Sequence, residues 1–317
     1  MHDTEKRQEE FTLFQNFSVA ASLCLRMISH NVSIACPNHA HSRFETAGGV
    51  RWHVQDAGQG PVVLLLHGTA GSTHQWADVI PRVTPSARVI ALDLPGHAFT
   101  HVPPGLGRDV FSLGGMARAV AELCVALHVR PALVAGHSAG AAVALRMTLD
   151  GLVAPQAILG FNPALVAPPD AYVSLVAPFL GPIMESRLVG GGAAWLARET
   201  GLIARMLDSS GSTLTEAQRT IYRHLCANES HIAAALAMMS RWDLPTLLRD
   251  AAALTVPFTA YAGARDRWVS ARQLAPAVAR IPGATFELVN DAGHHIPDEV
   301  PGVVVTAILH ALSQSAG

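Results

Sequence analysis

The chain carries little charge and few cysteines. Only 15% of its 317 residues are Asp, Glu, Lys or Arg, and the formal net charge is −2. So neutral a balance excludes electrostatic capture of nucleic acid or of an anionic membrane. Cys24, Cys36, Cys124 and Cys226 are scattered without a Cys-x-x-Cys pair, which speaks against a disulfide framework and for a reducing, cytoplasmic setting. No His or Cys cluster has metal-ligand spacing, so neither a metal nor a cofactor is expected. Repeats and low-complexity segments are missing too. The apolar run Phe11 to Met27 is broken by Gln15, Asn16 and Arg26; it is too short and mixed to span a bilayer, and it lacks the basic leader and clean cleavage pattern of a signal peptide. Residues 1–41 therefore read as a loosely attached amphipathic extension, the one segment through which membrane contact is compatible with the sequence. Met1 and Met27 are both candidate starts.

What the chain does have is apolar text, 50% of its residues, enough for a large core. From Ser42 onward, strand and helix patterns alternate, the signature of an α/β fold with a mostly parallel sheet. Strands are expected at Val50 to Gln55, Val62 to Leu66, Arg88 to Leu92, Leu133 to Ala135, Ala157 to Phe161, Phe258 to Ala262 and Thr285 to Val289. Helices are expected at His74 to Ile80, Leu113 to Leu127, Ala139 to Leu149, Ala271 to Ala279 and Val303 to Leu312. The alternation breaks once, between about Pro163 and Leu244, where only helical stretches occur: Ala171 to Leu180, Ala193 to Met206, Thr215 to Cys226 and Ile232 to Met239. An all-helical insertion there would lie over the carboxyl ends of the strands, where open α/β sheets bind ligands. The expected organisation is thus an extension at 1–41, a core of 42–162 plus 245–317, and a helical lid at 163–244.

Gly136-His137-Ser138-Ala139-Gly140 follows one strand candidate and opens a helix candidate. That is the setting of a nucleophile elbow, in which flanking glycines let the backbone turn sharply and Ser138 projects from the strand end. A serine hydroxyl needs a base, and the base needs a group that fixes its tautomer. Asp266 ends a strand candidate, and Gly293-His294-His295 follows the last one, with Asp291 as the alternative acid. The chain order is Ser, Asp, His. The residue after the nucleophile, Ala139, offers a backbone N–H at a helix head for a developing oxyanion. Either histidine could be the base.

The His67-Gly68-Thr69 loop, the Asp93-Leu94-Pro95-Gly96-His97 turn, the Ser138 elbow, Asp266 and Gly293-His294 together resemble the α/β-hydrolase superfamily over nearly the whole chain. That resemblance implies an eight-stranded, mostly parallel sheet with the lid after strand 6. It implies that His294 is the base, since Glu299 and Pro301 follow it at the family's spacing, and that Thr69 N–H is the second oxyanion donor. His67 is then structural and Asp93 a turn-stabilising carboxylate, while Asp298 and Glu299 charge or cap the last helix. The departure after His97, Ala98-Phe99-Thr100 in place of a second glycine and a small residue, touches a turn and not the chemistry. Further segments, among them Gly48 to Gln55 and Met238-Met239-Ser240-Arg241-Trp242-Asp243-Leu244, are similar to the magnesium-chelatase-associated hydrolases of bacteriochlorophyll biosynthesis. This implies a role near magnesium insertion, a hydrophobic small-molecule substrate of the tetrapyrrole class, and magnesium-chelatase subunits as partners. A methionine-rich lid, with Met184, Met206, Met238 and Met239, suits a flat apolar ligand, and Trp76, His137, Met238 and Trp242 are candidate substrate-binding residues. A serine hydrolase working through an acyl-enzyme is the leading expectation. A non-catalytic porphyrin-binding or chelatase-docking protein and a general carboxylesterase are the alternatives.

Overall fold

A computed structural model describes residues 36–166 and 201–314. Eight strands form one sheet in the order β1-β2-β4-β3-β5-β6-β7-β8: Ser42–Ala47, Val50–Ala57, Val62–Leu66, Arg88–Leu92, Leu133–His137, Ala157–Phe161, Phe258–Gly263 and Thr285–Val289, β1 to β8 in chain order. β1 pairs antiparallel with β2, and β2 with β4; every other pairing is parallel. The unbroken apolar text of β3, Val-Val-Leu-Leu-Leu, follows from burial on both faces, as a central parallel strand requires.

One face packs Trp52, Leu64, Leu66 and Ile90 against the helices α2 (Leu113–Ala126) and α3 (Ala139–Leu149); the other packs Trp76, Leu65 and Phe161 against α1 (Ile80–Val83) and the last helix. Between β6 and β7 come α4 (Leu202–Ser209), α5 (Glu216–Cys226), α6 (Glu229–Arg241) and α7 (Leu244–Asp250); α8 (Ala271–Val278) follows β7, and α9 (Ile296–Glu299) and α10 (Pro301–Gln314) follow β8. The expected helix Ala171 to Leu180, the first residues of Ala193 to Met206, Met184, Cys24 and the whole 1–35 segment lie outside the described residues. No helix among the described residues is long and apolar enough to cross a membrane. Cys36, Cys124 and Cys226 are buried.

The structure departs from the sequence pattern at a few elements. β1 has no counterpart among the expected strands, because Ser-Arg-Phe-Glu-Thr-Ala presents little apolar alternation on an edge strand. His74 to Ile80 is a 3-10 turn at Thr73–Trp76 followed by the separate α1, whose second position is Pro81, a residue suited to starting a helix but not to continuing one. α6 starts three residues early because the Asn228 side chain caps it, accepting from His231 N.

Gly136 and Gly140 are needed for space rather than for dihedral freedom. Neither has positive φ; Ser138 between them does. A Cβ on Gly140 would stand 2.1 Å from the Leu66 carbonyl oxygen, and one on Gly136 2.3 Å from Ala141 N. Helix α3 therefore starts in backbone contact with β3. Gly140→Ala is expected to cost about 3 kcal/mol, since backbone and not a flexible side chain must move. A thermal midpoint equal to wild type would contradict this.

Candidate active site

Ser138 sits at the end of β5 with φ 48 and ψ −112, half-buried. A non-glycine residue there costs on the order of 1–3 kcal/mol, and the neighbours over-determine it: Ser138 N–H donates to Phe161 O at 2.9 Å, and its carbonyl accepts from Ala141 and Ala164 N–H. Ala139 is the first residue of α3, so its N–H is among those that a helix cannot satisfy internally. The His67–Ser72 loop lies directly alongside, because a Cβ on Gly68 would stand 3.1 Å from Ser138 Cβ. Thr69, half-buried, is the next residue of that loop.

Asp266 and His294 meet in a buried pair, His294 Nδ1 to Asp266 Oδ2 at 2.8 Å. The other carboxylate oxygen accepts from Trp268 N at 2.7 Å and Val269 N at 2.9 Å. With Nδ1–H donating to the carboxylate, the lone pair of His294 is left on Nε2. His295, the other candidate base, faces the helical insertion: Ser212 Oγ lies 3.0 Å from its Nδ1 and accepts from its backbone N–H at 2.9 Å. Burial, then the neighbouring imidazoles of His294 and His137, holds His295 well below the usual imidazole range. Asp291, the alternative acid, is exposed, and its carbonyl accepts from Arg265.

The loop that carries His294 is clamped from beneath. Its carbonyl accepts from His137 Nε2 at 2.8 Å and from Asn162 Nδ2 at 2.8 Å. Asn162, buried at the end of β6 with φ 45, also donates to Gly293 O and accepts from Gly263 N. Asn162→Ala strips partners from three buried backbone groups and is expected to cost about 2–4 kcal/mol. The midpoint of thermal unfolding should fall by roughly 5–10 °C; a fall under about 2 °C would contradict that role.

Asp298 and Glu299 do more than charge a helix. Glu299 accepts from Gly293 N and from Thr213 N of the insertion, both at 2.9 Å. Asp298 accepts from Tyr222 OH at 2.9 Å; burial pushes its carboxyl well above the carboxylate range, against the Tyr222 hydrogen bond. Tyr222 OH in turn accepts from Gln75 Nε2 at 2.7 Å, and Gln75 Oε1 accepts from Gly68 N at 2.8 Å. A continuous polar chain thus runs from the insertion to the loop beside Ser138.

His67 is structural as expected from sequence: its Nδ1 donates to Gly68 O at 2.7 Å and its Nε2 accepts from Leu94 N at 2.8 Å. Burial pushes its pKa down to about 3. Asp93, fully buried, accepts from Thr73 N and Phe99 N and pairs with His53 Nδ1 at 2.7 Å. Burial alone would raise its pKa, but these partners hold it at about 2. His53 Nε2 lies 2.9 Å from Ser42 Oγ, so Ser42, His53 and Asp93 form a serine-histidine-carboxylate chain. Ser42 belongs to edge strand β1, with neither a strained elbow nor a helix head beside it, so this chain fastens β1 and β2 to the Asp93 turn.

The expected substrate-binding residues are placed differently. Trp76 is fully buried among Leu65 and Phe161, with Phe161 at 6.4 Å; it is core. Met238 is 1% exposed and packs in the main core, and Trp242 lies half-buried on the same cluster with its Nε1 donating to Phe111 O. His137 is aimed at the His294 carbonyl rather than outward. The apolar character of Met238 and Trp242 comes from the need of the insertion to bury a face on the sheet domain. Ser72 and His74, in the loop after β3, are both buried, with Ser72 Oγ and His74 Nδ1 2.6 Å apart. Sequence reasoning missed Asn162, Gln75, Tyr222, His231 and Trp268, whose ring lies 5.0 Å from that of His294. Asn162 could have been found, since polar residues at strand carboxyl ends mark sites; the others carry no local signal.

The sequence profile of the alpha/beta hydrolase family matches residues 63–307. Over 260 residues the chain is 35% identical to the magnesium-chelatase 30 kDa subunit of Rhodobacter capsulatus, spanning 78% of this chain and 86% of that one. It is 26% identical over 262 residues to the pimeloyl-acyl-carrier-protein methyl ester esterase of Xylella fastidiosa, spanning 77% and 92%. Among solved structures, an alpha/beta hydrolase fold protein from Burkholderia ambifaria has a TM-score of 0.71 at 24% identity, covering 84% of this chain and 97% of that one. That last likeness is one of fold.

Proposed function

Because the chain belongs to the alpha/beta hydrolase family, we propose that it is a serine hydrolase acting through an acyl-enzyme. The observation that carries the reading is the strained Ser138 elbow in a protein that also holds a buried 2.8 Å His294–Asp266 pair. Ser138 Oγ attacks an ester carbonyl and passes its proton to His294 Nε2, while Thr69 and Ala139 N–H groups receive the oxyanion. His294 then protonates the departing alcohol. Water, deprotonated by the same nitrogen, cleaves the acyl-enzyme and returns the proton to Ser138. Related epoxide hydrolases and dehalogenases use a carboxylate nucleophile, and a serine stands here instead.

The test is covalent labelling with an alkyl fluorophosphonate. Wild type is expected to be labelled at Ser138 and Ser138→Ala to remain unlabelled; folded wild type that resists the probe would sink the reading.

The 35% identity to a chelatase subunit, together with the insertion over the site, supports a cytoplasmic accessory role near magnesium insertion, with a tetrapyrrole ester as substrate and chelatase subunits as partners. Deleting the gene in its own organism should then lower bacteriochlorophyll accumulation. Normal pigment under all growth conditions, combined with rapid turnover of short p-nitrophenyl esters, would favour a general carboxylesterase.

A further inference from the structure

The His67–Ser72 loop is held from outside the sheet domain. It closes on itself through Gly71 N–H to Gly68 O at 3.0 Å, which places Ala70 in the left-handed region at φ 56. An alanine there is strained, because its Cβ crowds the following carbonyl oxygen. A side chain of the insertion reaches the Ala70 carbonyl: His231 Nε2 lies 3.1 Å from Ala70 O, and His231 Nδ1 accepts from Ala98 N at 2.9 Å. Since Ala98 N–H can only donate, the His231 proton must sit on Nε2, directed at Ala70. Ala70 also packs on the apolar cluster of the insertion, Ile203, Leu207, Leu214, Tyr222 and Cys226, together with Ile232. Helix α6 sits close enough that a Cβ on Gly96 would stand 2.5 Å from Ala234 Cβ. His231 itself is 1% exposed.

We propose that His231 is a positioning residue for the oxyanion hole: by holding the carbonyl of strained Ala70, it sets the direction of the Thr69 N–H that precedes it. The inference rests on the serine-hydrolase reading of Ser138. The helical insertion then does more than cover the site. It completes the electrostatic machinery, because a donor displaced by even part of an ångström loses much of its hold on a developing charge.

The two bonds of His231 can be separated by shape. Glutamine carries an amide N–H near the position of His Nε2 and keeps the donor to Ala70 O, whereas asparagine carries an oxygen near Nδ1 and keeps only the acceptor for Ala98 N. Each variant loses one bond, so a role limited to fastening α6 would affect them alike. With the alkyl fluorophosphonate, His231→Asn is expected to lower the maximal phosphonylation rate roughly tenfold to a hundredfold with the half-saturating probe concentration unchanged. His231→Gln should stay within about threefold of wild type. Equal rates in the two variants, or a rise in half-saturation alone, overturns the proposal. Should His231→Asn lack a cooperative melt, His231→Leu replaces it, since leucine fills the buried space but donates nothing to Ala70 O; a maximal rate equal to that of His231→Gln overturns the proposal as well. Wild type that does not label at all overturns the serine-hydrolase reading itself, a result distinct from labelled wild type with indifferent His231 variants.

Discussion

Asp266→Asn is expected to lower the maximal rate of fluorophosphonate labelling, and of any ester turnover, by about 10⁴-fold while leaving the fold intact. The size of the effect follows from which way the new amide must face. Oδ1 of Asp266 accepts from both Trp268 N and Val269 N, so in the variant the side-chain amide oxygen is drawn to that side. The amide nitrogen is left opposite His294 Nδ1, which then has to accept rather than donate. The imidazole proton moves to Nε2, and the lone pair that should take the proton of Ser138 is gone. Steady-state kinetics with a thermal melt checks this. A loss of less than about tenfold in a folded variant would mean that His294 does not depend on Asp266 for its tautomer.

Acidification should unfold the protein cooperatively between about pH 5.5 and 4. Burial pushes the pKa of His74 and His97 down to about 4 and that of His67 to about 3, and it holds His137, His231 and His295 well below the ordinary value. In the unfolded chain all of them titrate near 6.5. Below that pH the unfolded state binds more protons than the folded one, so stability is full above 6.5 and falls as pH drops toward the folded values. With three imidazoles alone the slope reaches about 4 kcal/mol per pH unit, against a typical total of about 5–15 kcal/mol. Asp93, held at about 2, keeps its contribution throughout this window and begins to lose it only below about 4. Asp298, whose raised pKa favours the folded state as pH falls, opposes the trend with a single proton. Circular dichroism across a pH series, with proton uptake measured at the transition, is the check. A native spectrum and cooperative melt retained at pH 3 would contradict the neutral burial of these histidines.

The serine-histidine-carboxylate pattern was legible only in part. Ser138 could be read because elbow, strand and helix are local in sequence, and Asp266 because it follows a strand. The choice of His294 over His295 needed the register of the following helix, and its geometry rests on Asn162 and His137 gripping the His294 carbonyl. Composition also says nothing of Ser42, His53 and Asp93, which the fold joins into a hydrogen-bonded serine-histidine-carboxylate chain of their own. Only the backbone around each serine separates them: Ser138 is strained at the head of α3, whereas Ser42 lies in an extended edge strand.

By itself the amino-acid sequence determined the alternation of strands and helices, the parallel sheet core and the placing of Ser138 at a strand end. These depend on hydrophobic period and glycine placement over a few residues, and such local preferences survive without knowledge of neighbours. It did not determine which apolar residues face a ligand. Trp76, Met238 and Trp242 are written like pocket residues and pack as core, since burial depends on what lies opposite. Only the tertiary structure joined Tyr222 to Gln75 and His231 to Ala70, across 147 and 161 positions of chain. A hydrogen bond of that span leaves no periodic trace in either partner segment; it exists because the insertion folds back over the carboxyl ends of the strands and brings buried polar groups within reach of one another.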